Sequence, residues 1–129
     1  MEKLDYEKLI DPFCIPVIKF LREEKGVETM YCCQGKTNVD GPDEHHSKRG
    51  YIMAEYSEES FKELLKIFNS HASRIPYNES ERMGIKIRRH PTFKGNVVIV
   101  KLVWKVWPTK ESLKEEWDLI FSDLTRTQD

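Results

Sequence analysis

The chain has 129 residues, which suits one domain around one core and is too short for two ordinary ones. It is 39% hydrophobic and 33% charged, a globular composition that excludes fibrous, low-complexity and disordered classes. Its 21 basic and 22 acidic side chains leave a net charge of −1, without the cationic excess on which duplex-DNA binding rests.

The opening residues, Met1 to Tyr6, lack the apolar stretch of a signal peptide. The longest apolar run, residues 97–107, is interrupted by Lys101 and Lys105 and falls short of the ~18–20 residues that cross a bilayer. Cys14, Cys32 and Cys33 are an odd set without framework spacing. Together these features predict a cytoplasmic protein with no membrane partner.

Residues 5–25 read as helical, broken at Pro12 and Pro16, each of which suits a helix start and not a helix middle. The stronger helix spans residues 16–25 with Val17, Phe20 and Leu21 inward, and a short helix or turn precedes it near residues 6–10. Gly26 stands where a helix end needs positive φ. Residues 27–33 form a strand, 34–49 a loop and 50–56 a second strand. Ser57 then caps a helix whose Phe61, Leu64, Leu65 and Phe68 share one face, fading near His71.

After a polar connection, Ile85 and Ile87 open a third strand, residues 90–96 turn, and residues 97–107 make a long fourth strand. Thr109 caps the last helix, with Leu113, Trp117, Ile120, Phe121 and Leu124 inward and a tail fraying from Thr125. The order α-β-β-α-β-β-α predicts a single α+β domain over residues 1–129. Its four-stranded, mainly antiparallel sheet carries the helices on one face.

The 34–49 connection far exceeds the usual ~4–6 residues and gathers reactive side chains, so function is sought there. Five readings compete with one another. The first is a solvated polar loop. A zinc site from Cys32, Cys33, His45 and His46 has the right donors, but adjacent ligands break the spacing of two to four residues that structural zinc sites favour. A cysteine nucleophile with a histidine base is a third reading, against which stands the ordinary role of Cys as a small core residue. Gly35-Lys36-Thr37 imitates the end of a phosphate loop, yet Met30 replaces the required glycine and no helix can follow, so that reading fails. The last is an anion nest at Gln34 and Gly35 with charge from Lys36, Lys48 and Arg49.

A second basic element, Arg88, Arg89 and His90 with Lys94 across the turn, favours the anion reading. Strand alternation sets Lys86, Arg88 and His90 on one face and Ile85, Ile87 and Arg89 on the other. Lys101 and Lys105 share a face with Val97, Ile99, Val103 and Trp107. A helix-free face that presents cations beside Tyr31, Tyr51, Trp104 or Trp107 suits a nucleotide, charge meeting phosphate and rings meeting base. The competing reading is the ordinary solvated face of an antiparallel sheet.

Residues 25–36, Lys-Gly-Val-Glu-Thr-Met-Tyr-Cys-Cys-Gln-Gly-Lys, followed by Gly50-Tyr51-Ile52, resemble a group of small bacteriophage and Gram-positive bacterial proteins. In that group a helix ending in Lys-Gly leads to a strand ending Cys-x-Gly-His, a loop and a Tyr-Ile strand. Lys36 stands here at the histidine position, which suits an anion contact better than metal or acid–base work. The resemblance implies a phage or bacterial cytoplasmic setting and assigns no activity. Small phage proteins commonly act by binding, so the expectation is a non-enzymatic protein that sequesters an anionic, nucleotide-like ligand such as a host cyclic nucleotide, without a cofactor. The alternatives are a regulator that binds a host protein, self-association through the sheet, and a zinc or cysteine enzyme.

Overall fold

The computed structural model describes residues 5–35, 50–75, 83–90, 95–102 and 109–126. Its elements are helices α1 (Tyr6–Leu9) and α2 (Ile15–Glu23), strands β1 (Thr29–Cys33) and β2 (Tyr51–Glu55), helix α3 (Glu58–Ala72), strands β3 (Gly84–Arg89) and β4 (Asn96–Lys101), and helix α4 (Lys110–Arg126). The order is therefore α-α-β-β-α-β-β-α, one helix more than the sequence pattern gives. Asp5 caps α1 by accepting from Lys8 N–H at 3.3 Å, and a 3-10 turn at Pro12–Cys14 separates α1 from α2.

Local chemistry fixes the boundaries. Gly26 adopts φ 66° and lets Val27 N–H return to the Leu21 carbonyl at 2.9 Å, ending α2. Ser57 and Ser60 cap α3 reciprocally, each hydroxyl accepting the other's N–H at 2.9 and 2.8 Å. Thr109 and Ser112 repeat that pairing before α4. α4 continues through Thr125 and Arg126, two residues assigned by sequence to the fraying tail.

The strands lie in the order β1-β2-β4-β3, with every neighbouring pair antiparallel. Ile52, Ala54, Val98 and Val100 face the helices and meet Val17, Ile18 and Leu21 of α2, Leu64 and Ile67 of α3, and Leu113, Trp117, Ile120 and Leu124 of α4. The helices thus cover one face of the sheet. Ile18, not Phe20, completes the buried side of α2. On α3 the buried stripe runs through Ser60, Glu63, Leu64, Ile67, Ser70 and His71, while Phe61, Leu65 and Phe68 are only half-buried.

The reason for that rotation is a buried polar cluster between α3 and α4. Glu116 accepts from His71 Nδ1 at 2.8 Å and from Arg74 Nε and Nη2 at 2.7 and 2.8 Å. With both oxygens held by the guanidinium, the carboxylate can only accept, so His71 Nδ1 carries the hydrogen. Arg74 Nη1 also reaches Asp123 at 3.0 Å, and Ser70 Oγ donates to the same carboxylate at 2.6 Å. His71 and Glu116 are fully buried. Pairing makes that burial tolerable, since an uncompensated charge there would be severely unfavourable.

Candidate functional site

The helix-free face of the sheet is not a flat polar surface. Register aligns Tyr31, Met53, Ile99 and Lys86 across the four strands, with Tyr51 opposite Lys101 and Val97 opposite Arg88 in neighbouring rows. Met53, Val97 and Ile99 are buried although no described helix lies over them, and Met30 and Tyr51 pack against them. A register shift between Thr29 and Tyr31 accompanies this packing of Met30.

A depression of about 330 Å³ opens on this second, small apolar cluster. Met53 and Ile99 supply apolar lining, Tyr31 and Tyr51 supply rings, and Arg88 and Lys101 supply positive charge. Gly50 also lines it, and no lining residue among the described residues is acidic. Among the described residues, Arg22, Lys66, Arg74, Lys114 and Arg126 are ion-paired with carboxylates, whereas Arg88 and Lys101 are not. Burial, reinforced by the thiols of Cys33 and Cys32 and by Asp11, pushes the Tyr51 phenol up, so it remains a hydrogen-bond donor at neutral pH. Tyr31 is 56% exposed and keeps a free ring surface. An apolar lining with a few converging polar groups is the usual form of a small-ligand site.

Of the residues expected from sequence, Tyr31, Tyr51 and Arg88 come together here. Arg89 alternates to the helix side of β3 and is exposed there, away from Arg88. His90 directly follows β3, its N–H directed at the Gly95 carbonyl at 3.5 Å. Gln34 serves the fold: its N–H donates to Asp11 at 3.0 Å, its Oε1 accepts from Phe13 N–H at 3.0 Å, and its carbonyl accepts from Trp117 Nε1 at 2.9 Å. The nest reading therefore loses the Gln34 N–H. Gly35 is buried with φ 96°. Lys36, His45, His46, Lys48, Arg49, Lys94, Trp104 and Trp107 lie outside the described residues. Met53, Ile99 and Lys101 complete the depression. The face that Ile99 shares with Lys101 carried that signal, and only the β2–β4 register reveals its meaning.

Strand alternation separates the two adjacent cysteines. Cys32 packs toward the helix-side core, and Cys33, 5% exposed, lies opposite Tyr51 on the other face. The zinc reading needed both to turn toward one ion. Among the described residues no group of three or more His, Cys, Asp or Glu side chains is arranged to hold a metal. No described helix is long and apolar enough to cross a membrane.

The buried His71–Glu116 pair unites an imidazole with a carboxylate, but neither residue is exposed, and the cluster acts as a clamp between α3 and α4. The sheet face is the candidate site that a ligand can reach. No protein family, curated protein or solved structure matches the chain.

Proposed function

We propose that the protein is a non-enzymatic binder of an anionic, nucleotide-like ligand at the helix-free sheet face. The carrying observation is the juxtaposition of Arg88 and Lys101, outside the ion pairs of the described residues, with the Tyr31 and Tyr51 rings around an apolar depression. The cations meet phosphate, and a base stacks on a ring against Met53 and Ile99. Sequestration of a cyclic nucleotide signal suits such a site, since binding needs no catalytic group.

The test is calorimetric titration with mononucleotides, cyclic dinucleotides, short oligonucleotides and inorganic phosphate, using the full chain and its variants. A ligand at about 100 times its Kd adds about 2.7 kcal/mol of stability and is visible as a thermal shift of several degrees. Loss of one hydrogen bond to a charged group costs about 1.5–3 kcal/mol, so R88E or K101E should weaken binding by roughly ten- to a hundredfold. R89E, on the opposite face, should bind normally. Nucleotide affinity that is unaltered by R88E and K101E would refute the site.

A second reading rests on Leu9 and Tyr31, 64% and 56% exposed, which line one further depression beside the outer edge of β1. Exposed apolar and aromatic side chains of this kind anchor protein partners. Binding of a protein that survives R88E and K101E but fails with L9E would favour that reading.

A further inference from the structure

The two edges of the sheet are not alike. On β1 the edge is guarded at Thr29, whose carbonyl and hydroxyl both accept from Arg22 Nη1 at 3.0 Å. The other edge is β3, and no described strand pairs with its outer side. The hydrogen bonds of β4 fix which backbone groups β3 turns outward. The Asn96 carbonyl accepts the Tyr56 N–H at 2.9 Å, and the Leu102 N–H donates to the Gly50 carbonyl at 2.7 Å, so these positions face β2. Val97, Ile99 and Lys101 alternate with them and face β3, opposite Arg88, Lys86 and Gly84. Ile85, Ile87 and Arg89 therefore turn their N–H and carbonyl groups away from the sheet.

The side chains along this edge are exposed from Lys86 to Arg89, and Ile87 keeps 47% of its surface open. Lys86 and Arg88 lie on the helix-free face, with Ile87 and Arg89 on the other. None of the three cations is ion-paired among the described residues. An open row of alternating donors and acceptors fits another extended backbone, and the charge decides whose. Two-fold pairing with β3 of a second copy, centred on Ile87, would set Lys86 directly opposite Arg88 twice over. Like charges so placed are destabilising, whereas an acidic strand meets the same cations with opposite charge.

We propose that the β3 edge takes an acidic, extended peptide segment of another protein as an added strand. In antiparallel addition the outward backbone groups of Ile85, Ile87 and Arg89 bond the peptide backbone. Side chains opposite Lys86, Arg88 and Arg89 are then acidic, and those opposite Ile85 and Ile87 are apolar. Read from its N-terminus, the matching segment is Glu-Glu-Val-Glu-Val. The surface is separate from the nucleotide site at Arg89, which lies on the opposite face from Arg88 and Lys101.

The experiment follows a blocked Glu-Glu-Val-Glu-Val peptide added to the full chain, by fluorescence anisotropy and by amide hydrogen exchange in NMR. In the free protein the Lys86 and Arg88 amides should exchange slowly and those of Ile85, Ile87 and Arg89 fast. Saturating peptide should slow these last three by tenfold or more. N-methylation of the first, third and fifth peptide residues should abolish binding, and N-methylation of the second and fourth should not. R89E should weaken peptide binding by about 2- to 30-fold, since an attraction becomes a repulsion, and leave nucleotide binding unchanged. I87P removes an outward N–H without breaking the ladder to β4 and should abolish peptide binding. No saturable binding at millimolar peptide, equal binding of Lys-Lys-Val-Lys-Val, or bound peptide without slowed exchange at Ile87 would each overturn the proposal. Slow exchange at Ile87 in the free protein would overturn it too, because the edge would already be filled. The wild-type exchange map needs no variant, so it decides the matter even if I87P folds poorly.

Discussion

Glu116 is the side chain whose loss the fold should tolerate least. In E116Q the shape is kept, but the negative charge is removed and an amide NH2 faces donors. The carboxylate accepts three hydrogen bonds of 2.7–2.8 Å from His71 and Arg74 and has no exposure of its own. Removing one partner from a buried ion pair costs about 3–5 kcal/mol, chiefly by leaving the other charge uncompensated. Arg74 is 23% exposed and retains Asp123, so part of its charge can find water and the lower end applies, about 3 kcal/mol. Against a total stability of about 6–19 kcal/mol for a domain of this length, that is a substantial share. At about 3–4 °C per kcal/mol the midpoint should fall by about 10 °C in a calorimetric scan at neutral pH. R74M/E116L, which removes both charges, should recover much of the loss. A fall below about 3 °C for E116Q would refute the argument, because the cluster would then contribute nothing beyond its packing.

Three other outcomes follow from the same packing. The Ser70 hydroxyl, with Arg74 and Arg126, holds the Asp123 carboxyl below its usual range. Its contribution is therefore present above the unfolded value near pH 4 and lost as pH falls through the folded one. In denaturant titrations from pH 6 to 2, D123N should be less stable than wild type at pH 6 and should lose less on acidification. Glu63 is fully buried with Oε2 on Lys66 at 3.2 Å and no partner for Oε1 among the described residues, so E63L should raise the midpoint or leave it within about 2 °C. A drop of several degrees would show that Glu63 stabilises the fold. W117F removes the indole N–H from the Gln34 carbonyl and should cost about 1–3 kcal/mol by urea unfolding.

The strands, caps and helix ends were legible because they are local. Gly26, Ser57 and Thr109 act within a few residues of their place in the chain, and the β-branched runs mark strands without any tertiary partner. The burial of α3 was not legible. Apolar spacing points to Phe61, Leu65 and Phe68, but the stripe that is buried includes Glu63 together with Ser70 and His71, and the polar atoms of these last two are engaged by residues 53 and 45 positions away. A pattern that counts only apolar residues assigns such side chains to solvent. The site divides in the same way. The face of Arg88 follows from alternation alone, whereas its proximity to Tyr31 depends on the strand order β1-β2-β4-β3. Gln34 misled for a related reason: a strand followed by Gln-Gly resembles an anion nest, and only the fold shows its groups engaged by Asp11, Phe13 and Trp117.

The distribution of charge between the two faces bears on function more than the net charge does. On the helix side, Arg74 is held by Glu116 and Asp123, so its charge is spent within the fold. On the sheet side, Arg88 and Lys101 border an apolar floor and add no ion pair to the described part of the fold. Two like charges gathered there repel each other, and neither gains an ion-pair partner among the described residues in return. An anion that settles between them relieves the repulsion and gains apolar contact with the floor in the same step. A solvated sheet face would account for the cations but not for Met53, Val97 and Ile99, which alternation would otherwise leave open to water on a face that no described helix covers. The combination of an apolar cluster, two rings and two cations is what a nucleotide with both a base and a phosphate would use.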